Sequence, residues 1–198
     1  RVAREIDAAV TAFPINNIPA PDRPYANLGS IYAMLGRTDK AKEVLAQIAQ
    51  ISDSTTRLSF EPDAHTIRGE IALAENRGLE AVTEFARADS LPDGAVGEDP
   101  NNILFQTGRA FERANQPDSA ISRYEQYLRV GTTARLGEDM INLPVIQRKL
   151  GELYQAKGDR ARAIVHYTAF VNLWKNADAD LQPQVTDAKK KIALLSAN

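Results

Sequence analysis

Gly29, Gly69, Gly108 and Gly151 are each followed 12 residues later by an alanine: Ala41, Ala81, Ala120 and Ala163. The intervals between the glycines are 40, 39 and 43 residues. A period in this range is the mark of a chain that stacks one supersecondary unit on copies of itself, because one unit alone cannot bury its apolar face. Four residues beyond the alanines stand Leu45, Phe85, Tyr124 and Tyr167, and three further on stand Ile48, Ala88, Tyr127 and Phe170. Residues at i, i+4 and i+7 share one face of a helix, so each alanine opens the apolar stripe of a second helix in its unit. The first helix runs through the glycine, with stripes such as Tyr25, Leu28, Tyr32 and Leu35, or Val145, Leu150, Leu153 and Tyr154.

The turn between the two helices is equally periodic. Gly36, Asn76, Asn115 and Gly158 each fall seven residues after a repeat glycine. Glycine and asparagine are the residues that tolerate the left-handed backbone that closes a helix, so a helix end is expected at all four. Pro24, Pro62, Pro100, Pro117, Pro144 and Pro183 are read as helix starts. No stretch alternates with period two for long enough to predict a strand.

Tyr25-x2-Leu28-Gly29-x2-Tyr32 followed by Ala41-x3-Leu45, and Leu150-Gly151-x2-Tyr154 followed by Gly158, Ala163, Tyr167 and Phe170, resemble the tetratricopeptide repeat. In the two middle units Arg68 and Thr107 replace the leucine before the glycine, and Ala72 and Phe111 stand where tyrosine is usual. The resemblance covers about residues 22–177. It implies an all-α, right-handed superhelical α-solenoid of helix hairpins. Read as one domain over 1–198, the chain divides into an N-terminal helix and linker (1–21), four repeats (22–60, 61–99, 100–143 and 144–178) and a capping helix (179–198). The period exceeds the usual 34 residues, and because spacing inside each unit is kept, the surplus falls at Ser52–Phe60, Leu91–Asp99 and Gly131–Asp139. These are expected as surface loops or extended helix ends. Val2, Ile6, Ala9 and Val10 form a stripe before Phe13-Pro14, read either as the second helix of an earlier repeat or as an N-terminal cap. Val185, Ala188, Ile192 and Leu195 line the capping helix, with Lys189, Lys190 and Lys191 on its polar side.

Composition narrows the chemistry. The chain has 198 residues, 43% hydrophobic and 25% charged, which is the profile of a folded chain. It contains no cysteine, which excludes disulfides, thiolate zinc sites and cysteine nucleophiles but leaves the compartment open. No apolar run approaches the roughly 18 residues of a membrane span. The start at Arg1, charged and without an initiator methionine, reads as that of a trimmed or processed piece of something longer. Net charge is −2. The first 100 residues carry 10 basic and 16 acidic side chains, and the remainder 14 and 10, so one end is suited to attract an acidic partner or the opposite end of another copy.

Nothing in the sequence predicts catalysis, a cofactor or a metal. His65 and His166 are the only histidines and lie in no paired ligand spacing; His166 is expected as a surface or packing residue. No phosphate-binding glycine loop or nucleophile elbow occurs. Glu138-Asp139 is read as a solvated pair in a loop, and Trp174 as packing between the fourth repeat and the capping helix.

The resemblance instead implies binding. Positions that match the family's groove are Asn27, Ser30 and Met34 in the first repeat, and Thr66, Glu70 and Leu73 in the second. The third supplies Gln106, Arg109 and Arg113, and the fourth Arg148, Lys149 and Glu152. Arg109, Arg113, Arg148 and Lys149 are expected as a basic patch able to receive carboxylates. The two-carboxylate clamp of chaperone-binding repeats is not matched, since Ala26 and Ser30 stand where it needs lysine and asparagine. The expectation is a non-enzymatic scaffold binding a protein segment or docking as a subunit of a larger assembly, with self-association an additional possibility. Segment 170–195 is similar to repeat regions at the ends of bacterial multi-domain kinases and transcription regulators, which implies a sensor or regulatory module as the alternative. Helical-repeat RNA binding is a third reading, opposed by the sequence pI near 5.8.

Overall fold

The computed structural model describes residues 2–90, 100–130 and 135–197 and, within these, the side chains of all but 90, 100–102 and 135–138. Every regular element among the described residues is helical. The chain divides into two compact units, Arg1–Gln116 and Pro117–Asn198.

Unit 1 holds α1 (Val2–Ala12), two short 3-10 turns (Ile15–Asn17 and Ala20–Asp22), α2 (Tyr25–Met34), α3 (Thr38–Ala49), α4 (Ser54–Ser59), α5 (Glu61–Ala74), α6 (Gly78–Ser90) and α7 (Pro100–Arg113). α2 and α3 form one hairpin and α5 and α6 the next; α2 packs on α5, and α5 and α6 pack on α7. Unit 2 holds α8 (Pro117–Arg129), α9 (Arg135–Ala156), α10 (Arg160–Trp174) and α11 (Gln182–Ser196), in which α9 packs on α10 and α10 on α11. The third hairpin expected from the period therefore has its two helices in different units.

The four helix ends are built alike. Gly36, Asn76, Asn115 and Gly158 have φ of 73°, 64°, 56° and 76°. At the first, Gly36 N donates to Ala33 O at 2.9 Å and Arg37 N to Tyr32 O at 2.8 Å. The same two bonds recur from Asn76 and Arg77 to Leu73 and Ala72, from Asn115 and Gln116 to Glu112 and Phe111, and from Gly158 and Asp159 to Gln155 and Tyr154. This is the Schellman closure, which satisfies the last carbonyls of the helix and reverses the chain within three residues.

Burial follows the predicted stripes except at Leu35, expected with Tyr25, Leu28 and Tyr32 but exposed. In unit 1 the core includes Tyr25, Tyr32, Ala41, Val44, Ile48, Phe60, Ile67 and Phe85, with the Tyr25 and Phe60 rings edge-on at 5.2 Å. An added Cβ on Gly29 would lie 2.6 Å from Ile67 Cδ1, and on Gly69 2.4 Å from Phe85 Cε1, so both glycines are pressed against a neighbouring helix. In α1, Ile6 packs on this core. Asp7 ties the helix down: its carboxylate accepts from Tyr32 Oη at 3.1 Å and Arg37 Nη1 at 3.0 Å, with Lys40 Nζ at 3.3 Å. In unit 2 Tyr124, Tyr127, Ile146, Leu150, Tyr154, Tyr167 and Phe170 are buried, and α11 packs on α10 with Val185 and Ala188 buried while Ile192 and Leu195 are half-buried. Trp174 is half-buried beside Phe170, ring centroids 5.3 Å apart.

Three local expectations are corrected. Ser52–Phe60 is mostly helix: Asp53 accepts from Thr56 N at 2.7 Å, and this N-cap opens α4. Pro144 lies inside α9, not at a helix start. Its nitrogen has no N–H to donate to the Met140 carbonyl four residues back, but Met140 and Ile141 are exposed, so water can satisfy the freed carbonyl. Asp139 is in the same helix, not a loop, and accepts from Tyr127 Oη at 2.9 Å. Leu91–Asp99 and 131–134 lie outside the described residues.

His166 stacks on Tyr154, centroids 5.5 Å apart and planes 7° apart, and its Nδ1 is 2.7 Å from Gln147 Oε1. Burial holds its imidazole below the usual histidine range, and Arg162 adds to this against the opposing field of Glu125. Because the folded state favours the neutral ring, its contribution to stability is lost as pH falls through the unfolded value of about 6.5. Urea midpoints of the wild type are thus expected to fall between pH 7.5 and 5.5 by more than those of His166→Gln; parallel curves would refute this role.

Candidate functional site

The first helices of the first three repeats, α2, α5 and α7, lie side by side in unit 1, and nine of the twelve groove positions expected from the sequence are on them. α2 carries no charged residue. Asn27 is exposed and Ser30 half-buried on it, and Met34 is 54% exposed beside Ile31 and Leu35, also exposed. A helix whose core stripe is Tyr25, Gly29, Tyr32 and Ala33 thus keeps a second apolar stripe facing away from the core. Ile31 and Leu35 were not among the expected groove residues; Leu35 was expected on the stripe of Tyr25, Leu28 and Tyr32, and lies instead on the exposed side with Ile31 and Met34.

α5 departs from expectation. Thr66 is half-buried, its Oγ1 donating to Pro62 O at 3.0 Å. Leu73 belongs to the core, and the Glu70 side chain is fully buried. Neither presents a surface to a partner. The reason for the second lies on α7: Arg109 Nη1 donates to Glu70 Oε1 at 2.7 Å, and the charge pair holds the carboxylate beneath it. Glu70 Oε2 and Gln106 Oε1 are buried and accept no hydrogen bond. Burial pushes the Glu70 carboxyl above the ordinary carboxylate range, while Arg109 pulls it down. Arg109 itself is 24% exposed, with its guanidinium carbon 5.7 Å from the centre of the Phe105 ring. Arg113 is exposed and reaches Asn76 Oδ1 at 3.2 Å.

The remaining expected positions are in unit 2. Arg148 lies 3.6 Å from Glu152, whose carboxylate is also 4.0 Å from Lys191; Lys149 is half-buried. The expected basic patch is therefore distributed over two units, and Arg109 and Arg148 each face a carboxylate.

Other polar clusters bridge helices. His65 Nδ1 is 2.7 Å from Glu84 Oε2, and Glu84 Oε1 accepts from Arg87 at 2.9 Å. Tyr154 Oη donates to Glu125 and accepts from Arg162 Nη1 at 3.0 Å. Among the described residues, no group of three or more histidine, aspartate or glutamate side chains is placed to hold a metal ion, and no helix is long and apolar enough to cross a membrane.

Stacked hairpins with a repeated Schellman turn, a glycine at each described close approach and a face of first helices define a helical-repeat protein. Two family models for the tetratricopeptide repeat match the sequence, over residues 22–55 and 103–130. The chain thus carries tetratricopeptide repeats within an all-α helical-repeat fold. No curated protein and no solved structure matches it. Tetratricopeptide repeats are in general protein–protein interaction modules, and typically not enzymes.

Proposed function

We propose that the chain is a scaffold that binds a segment of another protein across α2, α5 and α7 of unit 1. One observation carries this reading: α2 exposes Ile31, Met34 and Leu35 on a helix whose core-facing side is already filled. Exposed apolar groups beside polar donors are the usual make-up of a recognition surface. Partner side chains pack on the α2 stripe, and Asn27, Gln106, Arg109 and Arg113 supply polar contacts.

Affinity capture from cells expressing the full-length gene tests this. Met34→Glu together with Ile31→Glu is expected to reduce recovery of co-purifying proteins at least tenfold, since burying an unpaired carboxylate at an interface costs more than about 1.4 kcal/mol. Leu79→Glu, at an exposed leucine of α6, serves as the control and leaves recovery unchanged. Equal recovery by the α2 variant and the control would defeat the assignment.

A further inference from the structure

On the reading of this face as a binding surface, we infer that Arg109 is a receptor for a carboxylate of the partner segment, which takes the guanidinium over from Glu70 while Glu70 takes up a proton. Unit 1 as a whole is acidic, with 12 basic and 17 acidic residues. The charged groups among the nine groove positions of its first helices are Glu70, Arg109 and Arg113, and Glu70 is buried. This face therefore presents positive charge and hydrogen-bond donors within an otherwise negative unit, which favours an acidic segment over a basic one. A guanidinium has five N–H donors in a planar fork matched to a carboxylate. At Arg109 one of these goes to Glu70 Oε1, and part of the side chain reaches solvent.

The internal carboxylate is a poor permanent partner. Glu70 Oε2 is buried with no donor, so the ionised form keeps a desolvated acceptor that protonation turns into a donor. The other cations on α5 and the elements around it are engaged elsewhere: Arg68 lies 3.4 Å from His65, Lys40 3.3 Å from Asp7, and Arg87 2.9 Å from Glu84. α2 has none; Lys42 of α3 is 2.7 Å from Glu75, Arg57 of α4 donates to Ile51 O, and Glu84 of α6 is on His65. On α7, Arg113 reaches Asn76, which leaves Arg109 as the cation on Glu70. When a ligand carboxylate takes Arg109, no cation is left for Glu70, and an ionised buried carboxylate without a counter-charge takes a proton from solvent. One proton enters for each carboxylate bound. Affinity for acidic segments then falls with rising pH, at most tenfold per pH unit.

Fluorescein-labelled hexaglutamate is the probe, titrated at constant ionic strength from pH 5 to 8, with a Gly-Ser hexapeptide as the uncharged control. The wild type is expected to bind hexaglutamate more tightly than the control peptide, with Kd rising as pH rises. Glu70→Gln removes both the competing anion and the titrating group, so it binds at least as tightly with no pH slope. Glu70→Gln/Arg109→Gln leaves no buried unpaired charge yet lacks the receptor, and loses at least tenfold in affinity relative to Glu70→Gln. His65→Gln keeps the wild-type slope. The inference is overturned by the same slope in wild type and Glu70→Gln, by equal affinity of Glu70→Gln and the double variant, or by hexaglutamate binding no better than the control peptide. Partner capture that still depends on Met34 and Ile31 would then leave the binding face intact and remove only the carboxylate exchange.

Discussion

Gly78→Ala is expected to lower the unfolding free energy by about 3 kcal/mol, at the upper end of overpacking costs. The new methyl would sit 2.4 Å from Ala114 N, 2.7 Å from Arg113 C and 2.9 Å from Ala110 O. All three are backbone atoms at the end of α7, where no side-chain rotation makes room. Gly36→Ala is the comparison. Nothing lies within 4 Å of its added Cβ, but φ is +73°, so its cost is the left-handed backbone alone, about 1 kcal/mol. Gly36→Asn should be close to neutral, since Asn76 and Asn115 hold the same turn at φ 64° and 56°. Urea unfolding by circular dichroism, with amide exchange to locate the loss in unit 1, checks the order; Gly78→Ala costing no more than Gly36→Ala would refute the close approach.

Phe85→Ala is expected to cost about 4 kcal/mol, because a fully buried ring leaves both lost apolar transfer and a cavity. Its neighbour sharpens the prediction. In Gly69→Ala the new Cβ meets Phe85 Cε1 and Cδ1 at 2.4 and 2.7 Å, for a cost of about 2 kcal/mol. Once the ring is gone, the same substitution at Gly69 is freed of its three nearest contacts, all atoms of that ring. A double-mutant cycle should therefore recover about 2 kcal/mol of coupling between the two positions, and additive effects would show that the glycine is not there for the ring.

The repeat was legible because its causes are local. A left-handed turn accepts few residues, so Gly36, Asn76, Asn115 and Gly158 could be picked out from spacing, and the stripes of Tyr, Phe and Ala followed from helical geometry. The glycine partners were less legible. Gly69 and Gly151 meet Phe85 and Tyr167 of their own hairpins, but Gly29 meets Ile67 of the next, because Leu45 stands where the others have a ring. Pro144 was misread since a proline inside a helix and one at its start look alike until neighbouring turns show whether water reaches the freed carbonyl.

By itself the sequence determined the helical class, the repeat length, the turn positions and which side of each helix is apolar, all of which depend on residues a few positions apart. Tertiary structure decided the state of the binding face. Glu70 and Arg109 are 39 residues apart and became a buried ion pair only when α5 met α7. A charged residue reads the same in sequence whether it is solvated or shielded; its burial, its partner and its protonation depend on which helix is laid across it.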